Sequence, residues 1–246
     1  MDNNNTRLFV EKVTKSYNKR VVVDGISLNL GTGEIVGLFG PNGAGKTTTF
    51  YMIIGFIRPD SGRILLDFHD ITGLPMFMRA RKGITYLPQE PSIFRKMAVA
   101  DNLRAILEFT DIGEEAMEHR VDELLEVFRL EHLRDNIADS LSGGERRRLE
   151  IARAMMIAPK FMLLDEPFSG IDPISVSDLK KVIKGLRNNG IGILLSDHNV
   201  RDSLSICDRA YVINNGTVLI EGSPEEVAED RVVREVYLGE EFYIHA

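Results

Sequence analysis

Hydrophobic positions follow two different periods along this chain, and each period predicts its own kind of element. In residues 7–30 apolar and polar side chains alternate, which predicts antiparallel strands with a turn at Asn18 and Lys19. A hairpin with a turn at 214–216 is predicted near the end of the chain. Three continuous apolar runs predict buried strands of a parallel sheet: 34–39, 161–164 and 191–195.

Between 99 and 156 the apolar positions recur at helical spacing instead. Four of them mark one face of a helix predicted over 114–128: Val121, Leu124, Leu125 and Phe128. We therefore predict a single α/β domain, with a mostly helical subdomain at 92–157 inserted between core segments at 1–91 and 158–246.

Composition and charge limit the classes of partner and compartment. The chain has 246 residues with 30 basic and 37 acidic side chains, and its net charge of −7 argues against nucleic acid as the main partner. Cys207 is the only cysteine, so an internal disulfide is impossible and a reducing compartment is expected. No apolar run approaches the roughly 20 residues that span a bilayer, and the polar start at 1–6 lacks the marks of a secretory signal. If the protein works at a membrane, we expect another chain to hold it there.

Residues 40–48 read G-P-N-G-A-G-K-T-T and fit the phosphate-binding pattern G-x-x-x-x-G-K-[ST]. A β-rich run precedes this loop and a helix is predicted over 48–56 after it, so the helix N-terminus would face an anion. Lys46 can reach the β- and γ-phosphates, and Thr47 offers a hydroxyl to Mg²⁺. The alternative is a chance glycine-rich turn, which would not require this order of strand, loop and helix. The predicted phosphate-binding set is Gly40, Pro41, Asn42, Gly43, Ala44, Gly45, Lys46, Thr47 and Thr48.

Acidic and amide side chains follow two of the predicted strands. Asp165 and Glu166 come directly after the run 161–164, where Asp165 can hold Mg²⁺ and Glu166 can polarise an attacking water. The alternative for Glu166 is a solvated loop acid. Gln89 follows a strand predicted at 83–87, where it either satisfies backbone groups or touches Mg²⁺ or the water.

A second anion-binding surface is predicted at the start of a helix over 145–156. Ser142 can cap that helix, and Gly143 and Gly144 leave bare N–H groups. Because two consecutive glycines cost helix stability, a structural cap alone would not need both. One chain cannot readily wrap both anion-binding surfaces around the same ATP, so we expect two chains arranged head to tail.

Six motifs, in order along residues 7–223, together resemble the ATPase subunits of ATP-binding cassette (ABC) transporters. They are Walker A at 40–47, the Q-loop residue Gln89, the LSGGE-type signature at 141–145, Walker B with its glutamate at 161–166, the D-loop at 169–172 and the switch residue His198. The D-loop reads Ser-Gly-Ile-Asp where Ser-Ala-Leu-Asp is commoner, and it keeps Asp172. Tyr17 matches the A-loop aromatic. Its position alone favours a half-buried strand tyrosine over an adenine platform, and the resemblance reverses that preference.

The resemblance implies a RecA-like parallel-sheet core with an N-terminal antiparallel β part, and an enzyme that hydrolyses ATP to ADP and phosphate. It also implies a homodimer in the ATP-bound state, with each ATP between Walker A of one protomer and the signature of the other. In that pattern Lys46 and the loop amides hold the phosphates, Glu166 activates water, and His198 contacts the γ-phosphate. The residues implied to organise Mg²⁺ are Thr47, Gln89 and Asp165, and those implied at the partner interface are Ser142, Gly143, Gly144, Glu145 and Asp172.

Four stretches resemble the lipopolysaccharide-export ATPases of Gram-negative bacteria: 86–95, 141–148, 197–201 and 236–242. This resemblance implies lipopolysaccharide as cargo, two transmembrane subunits similar to LptF and LptG with LptC in the complex, and a peripheral place on the cytoplasmic face of the inner membrane. The alternatives are a branched-chain amino-acid importer ATPase, a soluble ABC protein acting on ribosomes or DNA, and an inactive scaffold. A single cassette without a long insertion argues against the soluble class, and intact Lys46, Glu166 and His198 argue against the scaffold.

The family pattern also implies a groove beside the Q-loop that receives a short cytoplasmic helix of the membrane subunit. Residues 91–95 follow Gln89 and are expected to line this groove, with Phe94 as an apolar anchor and Arg95 paired to a carboxylate or a helix-end carbonyl. The alternative is that Phe94 packs under the helical subdomain.

Overall fold

The computed structural model describes residues 6–108, 112–239 and 242–243. The polar start at 1–5 and two residues of the predicted C-terminal stretch, Glu240 and Glu241, lie outside these ranges. The described strands are β1 (Arg7–Tyr17), β2 (Arg20–Gly31), β3 (Ile35–Phe39), β4 (Ser61–Leu66), β5 (His69–Asp70), β6 (Ile84–Leu87), β7 (Phe161–Asp165), β8 (Gly192–Ser196), β9 (Arg209–Asn214) and β10 (Thr217–Gly222).

The described α-helices are α1 (Lys46–Ile54), α2 (Met76–Arg81), α3 (Val99–Leu107), α4 (Glu114–Val127), α5 (Gly143–Met155), α6 (Pro173–Asn188), α7 (Val200–Leu204), α8 (Pro224–Glu229) and α9 (Arg231–Val233). Within these described ranges, no helix has the length and apolar character needed to cross a membrane.

The N-terminal sheet is antiparallel, as predicted, with strand order β2-β1-β4-β5. Leu8 of β1 lies opposite Leu30 on β2 and opposite Leu66 on β4. The predicted turn at Asn18 and Lys19 is confirmed, and both residues take left-handed backbone angles, with φ of +48° and +66°.

The second sheet has the order β10-β9-β3-β8-β7-β6, and it is parallel except for the predicted hairpin of β9 and β10. Because the carboxyl ends of parallel strands meet at one edge, the loops after β3, β6, β7 and β8 converge there. The loop after β3 is the phosphate loop, and the loops after β6, β7 and β8 carry Gln89, Glu166 and His198 in that order. The predicted α/β fold with a parallel-sheet core is therefore confirmed.

Strand β3 separates two hydrophobic cores. Ile35 and Phe39 face the core shared with the helical part and α6, whereas Val36 and Leu38 face α1 and the antiparallel sheet. This alternation is the period-two pattern of a strand that is buried on both faces. The strand that leads into the phosphate loop is thus held rigidly from both sides.

The helical part packs α4 and α5 against the first of these cores. The predicted face of α4 is confirmed, because Val121, Leu124, Leu125 and Phe128 are all buried. Helix α5 begins at Gly143, two residues earlier than predicted. The reason is a complete capping box between Ser142 and Glu145, which brings Gly143 and Gly144 into the first helical turn.

Candidate active site

The phosphate loop joins β3 to α1 and takes left-handed backbone angles at three glycines. Their φ values are +146° at Gly40, +78° at Gly43 and +108° at Gly45. A Cβ at Gly40 would lie 2.0 Å from the carbonyl oxygen of Ile213, so only glycine fits there. Helix α1 begins without a side-chain cap, which leaves its first N–H groups directed at the loop interior.

Lys46 is the first residue of α1 and folds back over the loop. Its Nζ donates to the carbonyl oxygens of Gly40 at 2.5 Å and Pro41 at 3.1 Å. Burial lowers the pKa of Lys46, while the nearby carboxylates of Glu166 and Asp165 raise it. The ammonium therefore lies between the loop and the acids, on acceptors that a phosphate oxygen can replace.

A polar cleft of about 160 Å³ lies over this loop. Residues from the antiparallel sheet, the phosphate loop, Walker B and the switch loop line it: Val22, Asn42, Gly43, Gly45, Lys46, Thr47, Thr48, Glu166 and His198. The parallel sheet thus brings together residues that the sequence predicted from separate motifs.

Glu166 lies at the centre of the predicted catalytic group. Gln89 Nε2 donates to its Oε2 at 2.7 Å, and His198 Nε2 lies 2.6 Å from its Oε1. The side chain is almost fully buried, and its backbone takes a left-handed φ of +48°. Non-glycine residues adopt such angles at a cost, and those that do concentrate at functional sites. This arrangement does not fit the alternative of a solvated loop acid.

Asp165 has a partner that the sequence reasoning missed. Tyr86 Oη, from β6, donates to Asp165 Oδ2 at 3.1 Å. Burial raises the pKa of Asp165, and the hydrogen bond from Tyr86 opposes that increase. The signal available in the sequence was a polar tyrosine one residue before the predicted strand end. Its contact with Asp165 follows from the direct pairing of β6 with β7.

Arg147 is a second residue that sequence reasoning missed. Its buried guanidinium donates to the backbone carbonyls of Pro88 at 3.0 Å, Asp165 at 3.0 Å and Glu166 at 3.3 Å. It also pairs with Glu150 at 2.8 Å. The available signal was helical spacing, because Arg147 is one turn from Gly144 and from Ile151 on the buried face of α5.

The signature residues lie away from the phosphate cleft of their own chain. Ser142 Oγ accepts from the Glu145 N–H at 3.3 Å, and Glu145 Oε2 accepts from the Ser142 N–H at 2.8 Å. Gly144 has a structural reason to be glycine that the sequence reasoning did not foresee. A Cβ there would lie 2.4 Å from Ser175 Oγ on α6, so close helix packing already demands glycine. Gly143 is exposed, and a Cβ there would meet a methyl group of Ile171 at 3.3 Å and the carbonyl oxygen of Gly170 at 3.5 Å.

The two remaining residues of the predicted site have contacts within the chain. Asp172 caps α6, and its Oδ1 accepts from the N–H groups of Ile174 at 3.1 Å and Ser175 at 3.0 Å. Tyr17 ends β1 with 46% of its surface exposed, and Lys15 Nζ lies 5.7 Å from its ring centroid. The open ring face is compatible with either of the two roles considered for Tyr17.

A groove of about 200 Å³ lies between the core and the helical part, and Tyr86, Ser92, Glu150 and Arg153 are among its lining residues. Of the predicted stretch 91–95, only Ser92 lines this groove directly. Phe94 is 45% exposed, and the Arg153 guanidinium lies 4.9 Å from its ring centroid. Ile93 is the residue buried beneath the helical part, whereas Phe94 and Arg95 remain at the surface.

Comparisons with known proteins agree with this geometry. A family model described as "ABC transporter" matches residues 23–169, and one described as "Branched-chain amino acid ATP-binding cassette transporter" matches residues 217–243. The lipopolysaccharide export system ATP-binding protein LptB of Haemophilus influenzae is 55% identical over 96% of this chain and 98% of its own. The LptB of Escherichia coli strain K12 is 54% identical over the same shares.

Solved structures give the same result. A nucleotide-free ATP-binding cassette from an ABC transporter has a TM-score of 0.85 and 31% identity, covering 96% of this chain and 100% of the other. Similarity to LptB extends over nearly the whole chain, whereas the importer model matches only its last segment, so the importer alternative is not favoured. The chain belongs to the ATP-binding cassette family of ABC transporters, and it is an ATP-hydrolysing member of that family.

Proposed function

We propose that this chain is the ATPase subunit that powers lipopolysaccharide export from the inner membrane toward the outer membrane. The observation that carries this proposal is 54–55% identity to LptB proteins over 96% of the chain. In the proposal the chain is a homodimer in its ATP-bound state, on the cytoplasmic face of the inner membrane. Its membrane partners are two transmembrane subunits similar to LptF and LptG, with LptC in the complex.

The phosphate loop fits the triphosphate of ATP. Three left-handed glycines and the uncapped start of α1 form a cradle of N–H groups that suits an anion. Lys46 is held on two carbonyl acceptors, which phosphate oxygens can replace without moving the helix. We assign the loop amides and Lys46 to hold the phosphates, and Tyr17 to stack on the adenine.

The oxygen atoms near this loop also fit Mg²⁺. Thr47, Gln89 and Asp165 would supply a hydroxyl, an amide oxygen and a carboxylate, which are hard ligands of the kind that Mg²⁺ prefers. The Gln89 amide bonds to Glu166 through its nitrogen, and Asp165 bonds to Tyr86 through Oδ2 only, so each keeps an oxygen available. Bound Mg²⁺ would neutralise charge on the β- and γ-phosphates.

Glu166 is the group that we assign to activate water. Gln89 and His198 hold its two carboxylate oxygens, which fixes the side chain over the cleft. His198 is half exposed and can turn its Nε2 toward an arriving γ-phosphate. That movement frees Glu166 Oε1 to accept the proton of a water aligned with the phosphate.

The second half of each site comes from the partner in this proposal. Ser142 and Gly143 are exposed at the start of α5, and neither is among the residues that line the phosphate cleft of their own chain. With Gly144 and Glu145 they would close the partner's site through the N–H groups of the first helical turn. Asp172, at the start of α6, would lie in the same interface.

The chemical role is tested with Glu166→Gln. The amide keeps the shape of the side chain but cannot accept the proton, so we expect hydrolysis to fall at least about 100-fold while ATP binding persists. Trapped ATP should hold the dimer closed in size-exclusion chromatography. Glu90→Gln, at an exposed acid beside Gln89, is the matched control and should hydrolyse normally. A Glu166 variant that stays monomeric with ATP and hydrolyses at the wild-type rate would disprove the assignment.

The cargo is tested with the complete membrane complex. The tagged chain is purified from inner membranes with its transmembrane subunits and reconstituted into proteoliposomes. ATP-dependent release of lipopolysaccharide, absent with Glu166→Gln, supports the proposal. ATP-dependent uptake of a branched-chain amino acid, without lipopolysaccharide release, would instead assign the chain to the importer class.

A further inference from the structure

The switch residue His198 lies in the short loop between β8, which ends at Ser196, and helix α7. Its side chain is half exposed, and its Nε2 lies 2.6 Å from the carboxylate of Glu166. An exposed side chain gains little positional support from packing, so the backbone on either side must fix where the imidazole lies.

Side-chain hydrogen bonds hold the backbone on both sides of this histidine. Asp197, which precedes it, accepts from the N–H groups of Phe168 and Asn199, both at 2.8 Å, through different oxygens. Asn199, which follows it, caps α7. The Asn199 Oδ1 accepts from the Asp202 N–H at 3.3 Å, and its Nδ2 donates to Asp202 Oδ2. Asp202 thus holds the residue next to the histidine through both its backbone and its side chain.

Lys180 attaches this capping group to helix α6. Its Nζ donates to Asp202 Oδ1, the other oxygen of the same carboxylate, and to Ser205 Oγ at 3.1 Å. The Ser205 hydroxyl in turn donates to the Asp202 carbonyl at 2.7 Å. Lys180 therefore contacts the α7 region at two points, and each oxygen of the Asp202 carboxylate has a donor.

Helix α6 is a firmer support than α7. It has 16 residues and buries four apolar side chains: Val176, Leu179, Ile183 and Leu186. Helix α7 has five residues, with Leu204 as its fully buried apolar side chain, and helices this short depend on tertiary contacts. The contact from Lys180 thus limits the positions that α7 can take, and with it Asn199.

Many ion pairs at protein surfaces contribute nothing measurable, which is the alternative for Lys180. However, only 21% of the Lys180 side chain and 34% of the Asp202 side chain are exposed. The carboxylate also belongs to a hydrogen-bonded network, which can be worth more than an isolated pair. The neighbouring Lys181 is different, because it pairs with Asp178 of its own helix at 2.9 Å and is 70% exposed.

We propose that Lys180 is a positioning residue for ATP hydrolysis, which acts on the switch histidine through Asp202 and Asn199. The ion pair holds α7 against α6, and the cap at Asn199 transmits this restraint to the adjacent histidine. The imidazole then meets the γ-phosphate in the geometry that hydrolysis requires, where a displacement of about 1 Å is costly. This inference rests on the role proposed for His198 and is independent of the cargo.

The test compares Lys180→Met with Lys181→Met, the same change at the neighbouring position, in the full chain. Loss of one partly exposed ion pair predicts a kcat for ATP hydrolysis about twofold to fivefold lower in Lys180→Met. Affinity for ADP should not change, because ADP lacks the phosphate that His198 contacts. Lys181→Met should match wild type in both measurements. Lys180→Arg, which keeps a cation of similar reach, should recover most of the rate.

Two further measurements separate positioning from a general loss of stability. Amide hydrogen exchange over 199–205 should be faster in Lys180→Met than in wild type or Lys181→Met. In single-turnover hydrolysis, adding Lys180→Met to His198→Ala should slow the reaction no further, because the group that Lys180 positions is already absent.

A kcat in Lys180→Met equal to that of Lys181→Met would overturn the inference, even if the melting temperature fell. Unchanged amide exchange over 199–205, or losses that multiply in the double variant, would overturn it as well. Wild-type hydrolysis in His198→Ala is a different failure, because it refutes the role proposed for that histidine and the inference with it.

Discussion

Arg79 is the most deeply buried arginine of the molecule's described core, with 1% of its surface exposed. Its guanidinium donates to four backbone carbonyls. Two of them, on Met52 and Ile53 at 2.8 and 2.7 Å, end α1, and the others, on Thr72 and Leu74 at 2.8 and 2.9 Å, precede α2. Carbonyls in the last turn of a helix have no partner within it. Arg79 therefore caps the helix that begins at the phosphate loop.

The substitution Arg79→Met removes these donors and keeps an apolar stem of similar reach. The carbonyls of Ile53, Thr72 and Leu74 then lose their side-chain donor, whereas the Met52 carbonyl keeps the Gly55 N–H at 3.2 Å. Each carbonyl left without a donor costs about 1 kcal/mol or more. The loss is partly offset because the charged group was itself costly to bury, as seen in the pKa of Arg79, which burial lowers to about 10. We expect a net loss of roughly 3 kcal/mol in the free energy of unfolding. In a chain of this size, that corresponds to a melting temperature lower by about 6–12 °C.

The assay is urea unfolding of the nucleotide-free chain, monitored by far-ultraviolet circular dichroism. Free energies of unfolding are compared between variants whose dependence on urea concentration is the same. Arg81→Met is the matched control, because Arg81 lies on the same short helix but is exposed, and its loss should cost under about 0.5 kcal/mol. Arg79→Lys should fall between the two, since one ammonium cannot span both groups of acceptors. A loss below about 1 kcal/mol for Arg79→Met would refute the capping role.

Two further substitutions test other parts of the structure. Gly144→Ala should destabilise the chain by roughly 1–3 kcal/mol, because its Cβ would lie 2.4 Å from Ser175 Oγ. Gly143→Ala should cost less, and equal melting temperatures for both variants would contradict the packing argument. Phe94→Ala should weaken binding to the membrane subunits by about 2 kcal/mol, which lowers the yield of the co-purified complex, while hydrolysis by the free chain changes little. Phe68→Ala, at a residue that is 97% exposed in the β4–β5 turn, is its control, and an intact complex with normal transport would remove Phe94 from the docking surface.

Local patterns were sufficient to predict most of the fold. The apolar runs at 161–164 and 191–195 became β7 and β8, with their strand ends at Asp165 and Ser196. These elements could be predicted because a strand that is buried on both faces must be continuously apolar. The positions of the proposed catalytic residues at the strand ends followed from the same rule.

Contacts between separate elements could not be predicted from those patterns. Tyr86 reaches Asp165 only because β6 and β7 are neighbours in the sheet. The apolar runs predict the strands but do not indicate which strands are neighbours. The glycine at 144 is explained by the approach of Ser175 on α6, which is distant from it in the chain. The same limit applies to Phe94, since an apolar residue in a polar stretch cannot reveal whether Ile93 or Phe94 will be buried.

Helix α5 joins three regions that the motifs treat separately. Its first turn carries the signature, with Ser142 as cap, and its middle carries Arg147, which holds the backbone carbonyls of Asp165 and Glu166. One turn further, Glu150 accepts from the Ser92 N–H at 2.8 Å and lines the groove beside the Q-loop. A helix is stiff along its axis, so these three contacts cannot change independently. If a partner's ATP engages the signature as we propose, the resulting shift of α5 must also alter Walker B and the groove, which gives a physical route from nucleotide to membrane subunit.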